Sequence, residues 1–317
     1  ENTAATSCLY CGNPSVIPGQ LGGMLKPDYV IPFKLEKNLQ TLFENNLSTI
    51  LGLTVVKSEF VIKNKRFDTL AFDEENKSFV IIEYKRDKSS SVIDQGFAYL
   101  HIMLENKAEF VLEINERCNR HFNRDDISWE QTKVIFVASS FNDNQKISTK
   151  FKDIAIELIE VKQFKDGHII INSLKDDSSQ VSVKTITKND KVYESVAREI
   201  KVYTEDDHLN NGNDKIKELY EDLKSAILNL DSGIKVEAKK LYIAFKQSTN
   251  ICDVEIQSNK LKIYLNAKWG TIDDPKHLFK DMRNVGHWGN GEYRAEISND
   301  DNIGYIIDLI RQVIQKQ

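Results

Sequence analysis

Arg66-Phe67-Asp68 and Glu83-Tyr84-Lys85 flank a short polar break, and they combine two carboxylates with an amine. Within Phe79-Val-Ile-Ile-Glu-Tyr-Lys-Arg86, alternate side chains of an extended chain share a face, so Phe79, Ile81, Glu83 and Lys85 fall together. An acid and a base placed directly after an apolar run are costly to bury unless they are paired or hold a cation. Asp68 lies fifteen positions before Glu83. A turn between them lets the two segments pair as a hairpin, which brings Asp68 within about one strand spacing of Glu83, roughly 4.7–4.9 Å. Two convergent carboxylates suit a hard cation such as Mg²⁺ or Mn²⁺. Such an ion can acidify a water and stabilise charge on a phosphate, and Lys85 is placed to stabilise developing negative charge. The plain alternative is a hairpin with a surface Glu–Lys pair and an unrelated Asp.

The surrounding pattern supplies elements able to hold these residues. Leu35, Leu39, Leu42, Phe43, Leu47 and Ile50 recur at spacings of three and four and predict a helix that Gly52 stops. Strands are expected at Val55–Ile62, Phe67–Phe72 and Phe79–Arg86, with Asp73–Ser78 as a polar turn. A helix is expected over Val92–Glu105, a short strand or helix extension over Phe110–Ile114, and strands over Val134–Ala138 and Ile156–Val161. This order predicts an α/β unit around one mixed sheet flanked by helices. The first 33 residues hold four of the five prolines and read as irregular. From about Lys175 to Asn213 the apolar density falls, and the stretch reads as a linker with room for a short helix. Beyond it, Asp214 opens a helix with Ile216, Leu219, Tyr220, Leu223, Ile227 and Leu230 on one face. Strands at Lys240–Phe245 and Leu261–Leu265, an alternating strand at Tyr293–Ile297 and a closing helix at Ile303–Ile314 complete a smaller α+β unit. The domains expected are therefore 1–33, 34–174, a linker 175–213, and 214–317.

Bulk composition is that of an ordinary soluble protein, with 40% hydrophobic and 29% charged residues. The longest apolar runs have strand length, far below the roughly 18–20 residues of a membrane span. The chain shows no secretory leader pattern and starts without Met, so a fragment or processed chain resident in the cytoplasm is expected. A net charge of −5 argues against a generic nucleic-acid coat but does not bear on the local field of a groove.

The text RFDTLAFDEENKSFVIIEYKR, with Asp68-x14-Glu83-x-Lys85, resembles the PD-(D/E)xK nuclease superfamily, restriction-endonuclease-like and of RecB type, over about residues 34–165. Phe67 stands where the motif's name has proline. The resemblance implies a metal-dependent nuclease, with Mg²⁺ or Mn²⁺ on Asp68 and Glu83, charge stabilisation by Lys85, and DNA rather than RNA as substrate. It also implies a Gln-x-x-x-Tyr pair on the following helix, matched by Gln95 and Tyr99. Gln95 would contact the lysine or DNA, and Tyr99 would pack. A glutamate from the helix before the sheet is implied too; Glu36 fits it, with Glu44 in reserve. The competing readings are a nucleic-acid-binding module that keeps the fold without turnover, and a scaffold that works through protein partners of the C-terminal unit. An oligomer is compatible with any of them.

Cys8-x-x-Cys11 has the shape of half a zinc site, and tetrahedral Zn²⁺ needs four ligands. CGNPSVIPGQLGGMLKPDYVIPF resembles the trailing half of a bacterial zinc ribbon. LKIYLNAKWGTIDDP and VGHWGNGEYRAEI resemble a bacterial domain of unknown function, found behind nuclease-like domains. His287 and Trp288 lie in its glycine-rich loop. Lys260, Lys262, Lys268 and Arg283 are candidate phosphate contacts there, opposed by Asp273 and Asp274.

Overall fold

The computed structural model describes residues 16–18, 30–85, 91–151, 153–174, 181–183, 190–247, 249–286 and 289–317. It divides into two compact units, Glu1–Val202 and Tyr203–Gln317.

The first unit runs β1 (Val16–Pro18), β2 (Val30–Ile31), α1 (Glu36–Leu51), β3 (Thr54–Ile62), β4 (Lys65–Asp73), β5 (Ser78–Lys85), α2 (Val92–Glu105), α3 (Lys107–Cys118), β6 (Lys133–Ala138), α4 (Asp143–Lys146), β7 (Ile156–Phe164), β8 (Ile169–Ser173) and α5 (Lys191–Glu199). The strands form one sheet in the order β1-β8-β7-β6-β5-β4-β3, with β2 paired to β7. β3, β4 and β5 are antiparallel neighbours, whereas β5–β6 and β6–β7 are parallel. The mixed sheet flanked by helices expected from the sequence is what the chain adopts.

Each face carries its own apolar layer. α1 presents Leu39, Phe43 and Leu47 to Ala71, Val80, Ile82, Tyr84, Ile135 and Val137. Its C-terminus closes at Gly52, whose φ of 68° lets its N–H reach the Ser48 carbonyl at 3.0 Å. On the other face, α2 and α3 cover Phe67, Leu70, Phe72, Phe79, Ile81, Val134, Phe136 and Ile156. Ser91 starts α2 by accepting the Asp94 N–H at 3.2 Å. Phe110–Ile114 lies inside helix α3, with Phe110, Val111 and Ile114 buried.

Segments outside the predicted core also join this unit. β1 and β2 lie in the part read as irregular, and they pair with β8 and β7 respectively. α5 falls within the stretch read as a linker and docks on α2. Tyr193 stacks on Phe97 at 4.2 Å between ring centroids, and Lys107 pairs with Glu199 at 2.5 Å. Cys8, Cys11, His287 and Trp288 lie outside the described residues. Among the described residues, no helix is long and apolar enough to cross a membrane.

The second unit contains α6 (Glu205–Leu209), α7 (Asp214–Leu228), β9 (Lys235–Ala238), β10 (Ile243–Lys246), β11 (Asn250–Gln257), β12 (Lys260–Leu265), β13 (Lys280–Asp281), β14 (Tyr293–Ile297) and α8 (Ile303–Lys316). Its antiparallel sheet runs β13-β14-β12-β11-β10-β9, with α7 and α8 contributing to its core. β11 has no counterpart in the sequence reading, because a polar centre interrupts it. Asp253 there is fully buried and accepts the Asn250 side-chain amide at 2.8 Å.

One contact sets the distance between α2 and the sheet of the first unit. A Cβ at Gly96 would come within 2.4 Å of Ile156 Cδ1 and 3.5 Å of Phe136 Cε2. Glycine here lets the helix seat closely, which overpacking would prevent. Gly96→Val should therefore lower stability by about 1–3 kcal/mol, read from chemical denaturation; a variant as stable as wild type would mean that the close seating is not required.

Candidate active site

β5 gains its stability from Phe79, Val80, Ile81 and Ile82, all fully buried, and delivers Glu83 at the end of that run. Strand parity sends Phe79 and Ile81 into the α2 layer, and Glu83 and Lys85 continue the same row. β6 runs parallel alongside, pairing Glu83 with Phe136 and Lys85 with Ala138. Glu83 is consequently 8% exposed, with Phe136 of β6 beside it and α2 above.

α2 supplies the partners. Gln95 Nε2 donates to Glu83 Oε1 at 3.0 Å and to the Tyr99 hydroxyl at 2.7 Å. The i,i+4 spacing puts both residues on one face of the helix. Tyr99 fills the packing role expected of it, edge-on to Phe67 with centroids 4.8 Å apart, and also fixes the Gln95 amide. Lys85 Nζ lies 3.3 Å from Glu83 Oε1. One oxygen of Glu83 thus takes both cationic and amide donors. The other, Oε2, is buried without a hydrogen-bond partner among the described residues, as is Gln95 Oε1.

Asp68 enters from β4 at a break in strand parity. Phe67 belongs to the α2 layer, yet Thr69, two residues on, bonds Glu44 of α1 on the opposite face. The β4–β5 ladder closes with Thr69 opposite Ile82. Beyond that rung the Asp68 carboxylate takes over, and the Tyr84 N–H donates to its Oδ2 at 3.0 Å. From the α1 side, the Gln40 side-chain amide donates to the Asp68 carbonyl at 2.8 Å. Asp68 is thereby held by its carbonyl and by its carboxylate.

Both acids are held above their ordinary values, and the Asp68 charge adds to the cost of ionising Glu83. Burial pushes the Glu83 carboxyl above its ordinary value; the Asp68 charge adds to this, while Lys85 and Gln95 oppose it. Burial also lifts Asp68, against the Tyr84 N–H and the Arg66 charge. Burial, with Glu83 nearby, holds the Tyr99 hydroxyl protonated far above its usual range.

The structure therefore gathers Asp68, Glu83, Lys85 and Gln95. Glu36 is not among the side chains round Glu83: it lies exposed in the first turn of α1, the helix covering the opposite face. Glu44, the reserve, is also on that face, accepting Thr69 Oγ1 at 2.5 Å and Gln40 Nε2 at 2.9 Å. The sequence reading missed Gln40, which is buried and bonds Ser58 as well as Asp68. Its signal was a polar residue at the border of the Leu39–Phe43–Leu47 stripe, four residues before Glu44. Among the described residues, no group of three or more His, Cys, Asp or Glu side chains is placed to hold a metal ion. Three of the C-terminal bases named above are paired internally: Lys260 with Glu296, Lys262 with Glu255, and Arg283 with Asp281.

A chain with this architecture carries a mixed-sheet domain with a clustered acid–acid–amine site, followed by a second domain. Residues 205–313 match the family described as a domain of unknown function (DUF5655). The chain belongs to the same family as an uncharacterized protein of Haemophilus influenzae. The two are 50% identical over 283 residues, covering 89% of this chain and 94% of that protein. Among solved structures, a repair endonuclease from Pyrococcus abyssi aligns with 40% of this chain and 47% of its own, at 19% identity and a TM-score of 0.24. SfsA of Pyrococcus furiosus in complex with Ca²⁺ aligns with 44% of this chain and 64% of its own, at 15% identity and a TM-score of 0.25. Both alignments span less than two thirds of the solved chain.

The raised carboxyls give a signed pH dependence. A folded-state value above the ordinary one means that stabilisation is complete below the ordinary value and lost as pH rises through the raised one. For Asp68 and Glu83 that window opens at their ordinary values of 3.8 and 4.5 and extends upward. Melting of the metal-free protein, compared with an Asp68→Asn/Glu83→Gln variant, should show wild type losing ground as pH rises through that window. Parallel curves would mean that the two charges are not buried together.

Proposed function

We propose that the Glu1–Val202 unit is a metal-dependent nuclease that hydrolyses phosphodiester bonds of nucleic acid. The observation that carries this reading is the buried Glu83 carboxylate, with one oxygen fixed by Lys85 and Gln95 and the other left without a partner among the described residues, next to a second raised carboxylate on Asp68. An orphaned buried acceptor costs about 1–3 kcal/mol, and more when charged. A cation relieves that cost and the repulsion between the two acids at once. The donor set is all oxygen, which fits Mg²⁺ or Mn²⁺, and a small cation of this type keeps several waters and needs few protein ligands. Asp68 and Glu83 would hold it, and it would supply Lewis acidity at the scissile phosphate.

The remaining steps belong to this chain's own groups. The Lys85 ammonium, anchored on Glu83, offers positive charge where the phosphoryl oxygens gain negative charge during displacement. Gln95 fixes the Glu83 carboxylate, and the Tyr99 hydroxyl in turn fixes Gln95. The Tyr84 N–H holds Asp68 in place. The motif resemblance favours DNA as the polymer.

The test is cleavage of plasmid and single-stranded DNA with Mg²⁺ or Mn²⁺. Wild type should cut, and Lys85→Ala and Asp68→Ala should each lose at least about 100-fold in rate. Mn²⁺ should also raise the melting temperature of wild type but not of Asp68→Asn/Glu83→Gln. Cleavage that survives both alanine substitutions would sink the catalytic assignment. Salt-sensitive DNA binding without cutting by wild type would favour a binding module instead.

A further inference from the structure

We propose that the tip of the β3–β4 hairpin, together with Lys37 of α1, grips the phosphate backbone of a nucleic acid whose scissile bond lies at the carboxylate site. This rests on the nuclease reading of Asp68 and Glu83 and adds the surface that would hold the substrate.

The hairpin turns at Lys63-Asn64, with Ile62 opposite Lys65 and Val61 opposite Arg66. Lys63, Lys65 and Arg66 are all exposed, and Arg66 lies two residues before Asp68 in the same strand. Lys37 is tied to the same place by contacts. Its Nζ donates to Gln40 Oε1 at 3.2 Å, and Gln40 in turn donates to the Asp68 carbonyl. Arg66 therefore acts on the Asp68 charge directly, Lys37 reaches Asp68 through Gln40, and the exposed Lys63 and Lys65 extend the basic patch to the hairpin tip, in a chain whose net charge is −5. Such a local reversal of sign is what a polyanion selects.

Glu59 is the acid among them. Its carboxylate lies 3.1 Å from Lys37 Nζ and 3.1 Å from Arg66 Nη1, with those two side chains 56% and 61% exposed. One anion bridging two cations at a water-facing site marks where a phosphate fits. Ion pairs this exposed add little to stability, so exchanging a carboxylate for a phosphate there is easy. A two-residue hairpin loop needs a positive φ within it. Lys63 takes a left-handed φ of 52°, although Asn64 beside it is the residue type that adopts that region more readily. In the second unit, Lys260, Lys262 and Arg283 each pair with an acid of their own: Glu296, Glu255 and Asp281.

The experiment measures binding of a fluorescently labelled DNA duplex and of its single strand, in EDTA, as a function of salt. A Lys63→Gln/Lys65→Gln/Arg66→Gln variant should lose at least about tenfold in affinity near physiological salt, and its log–log salt slope should be shallower by about 2–3. Glu59→Gln should bind more tightly than wild type. Thermal melting confirms that each variant is folded, and a single Lys63→Glu reversal should weaken binding even if the triple variant fails to fold. Unchanged affinity and slope in the triple variant and in Lys63→Glu would overturn the assignment, as would a wild type that binds neither form of DNA. A wild type that binds through the hairpin but cuts nothing in Mn²⁺ supports the grip and removes the nuclease reading. A wild type that cuts, with hairpin variants that bind as it does, keeps the nuclease reading and removes the grip.

Discussion

Glu83 carries a charge to the end of four wholly buried residues, and the elements around it answer that one demand. Lys85 and Gln95 reach the same oxygen of its carboxylate, and Tyr99 fixes Gln95 from one helical turn further along α2. Gly96 permits α2 to sit low enough for the glutamine to reach. Asp68 arrives on the neighbouring strand and makes matters worse electrostatically, since its charge lifts Glu83 further. A buried carboxylate such as Glu83 is costly to ionise, and the half-buried Asp68 beside it adds to that cost.

Much of this was legible because it is local. Parity along Phe79–Lys85 puts Glu83 and Lys85 on one face whatever the tertiary structure, and the i,i+4 relation of Gln95 and Tyr99 is equally independent of context. The hairpin followed from the polar turn, where Asp73 accepts the Glu75 and Asn76 N–H groups at 3.0 Å. What depended on packing was less readable. Regular alternation would keep Phe67 and Thr69 on one face, whereas the strand changes sides at Asp68. Which acid of α1 approaches the sheet depends on the seating of Leu39, Phe43 and Leu47, and that seating turns Gln40 and Glu44 inward while Glu36 stays outside. β11 escaped notice because Asp253, a residue that normally breaks an apolar strand, is buried and bonded there.

Both units pair bases with acids across strands, as Lys133 of β6 does with Glu157 of β7 in the first. In the second, lysines on the sheet pair across strands with glutamates, Lys262 with Glu255 and Lys260 with Glu296, so the field largely cancels at short range. In the first, Arg66 of the β3–β4 hairpin and Lys37 of α1 also share the Glu59 carboxylate, with Lys63 and Lys65 exposed at the hairpin tip. Sequence composition averages these two patterns into one mildly acidic number. The average hides where each charge sits.

The hydrogen bond from the Tyr84 N–H to Asp68 has a consequence of its own. That amide belongs to the peptide joining Glu83 to Tyr84, and Lys85 follows Tyr84. The last rung of the β4–β5 ladder is thus closed by a titratable group in place of a main-chain carbonyl. Protonating Asp68, or drawing its electrons toward a cation, weakens an acceptor on which the backbone between the other two residues leans. The Tyr84 amide is therefore a spectroscopic witness built into the strand: its proton shift and its exchange with solvent follow the state of a carboxylate on the neighbouring strand.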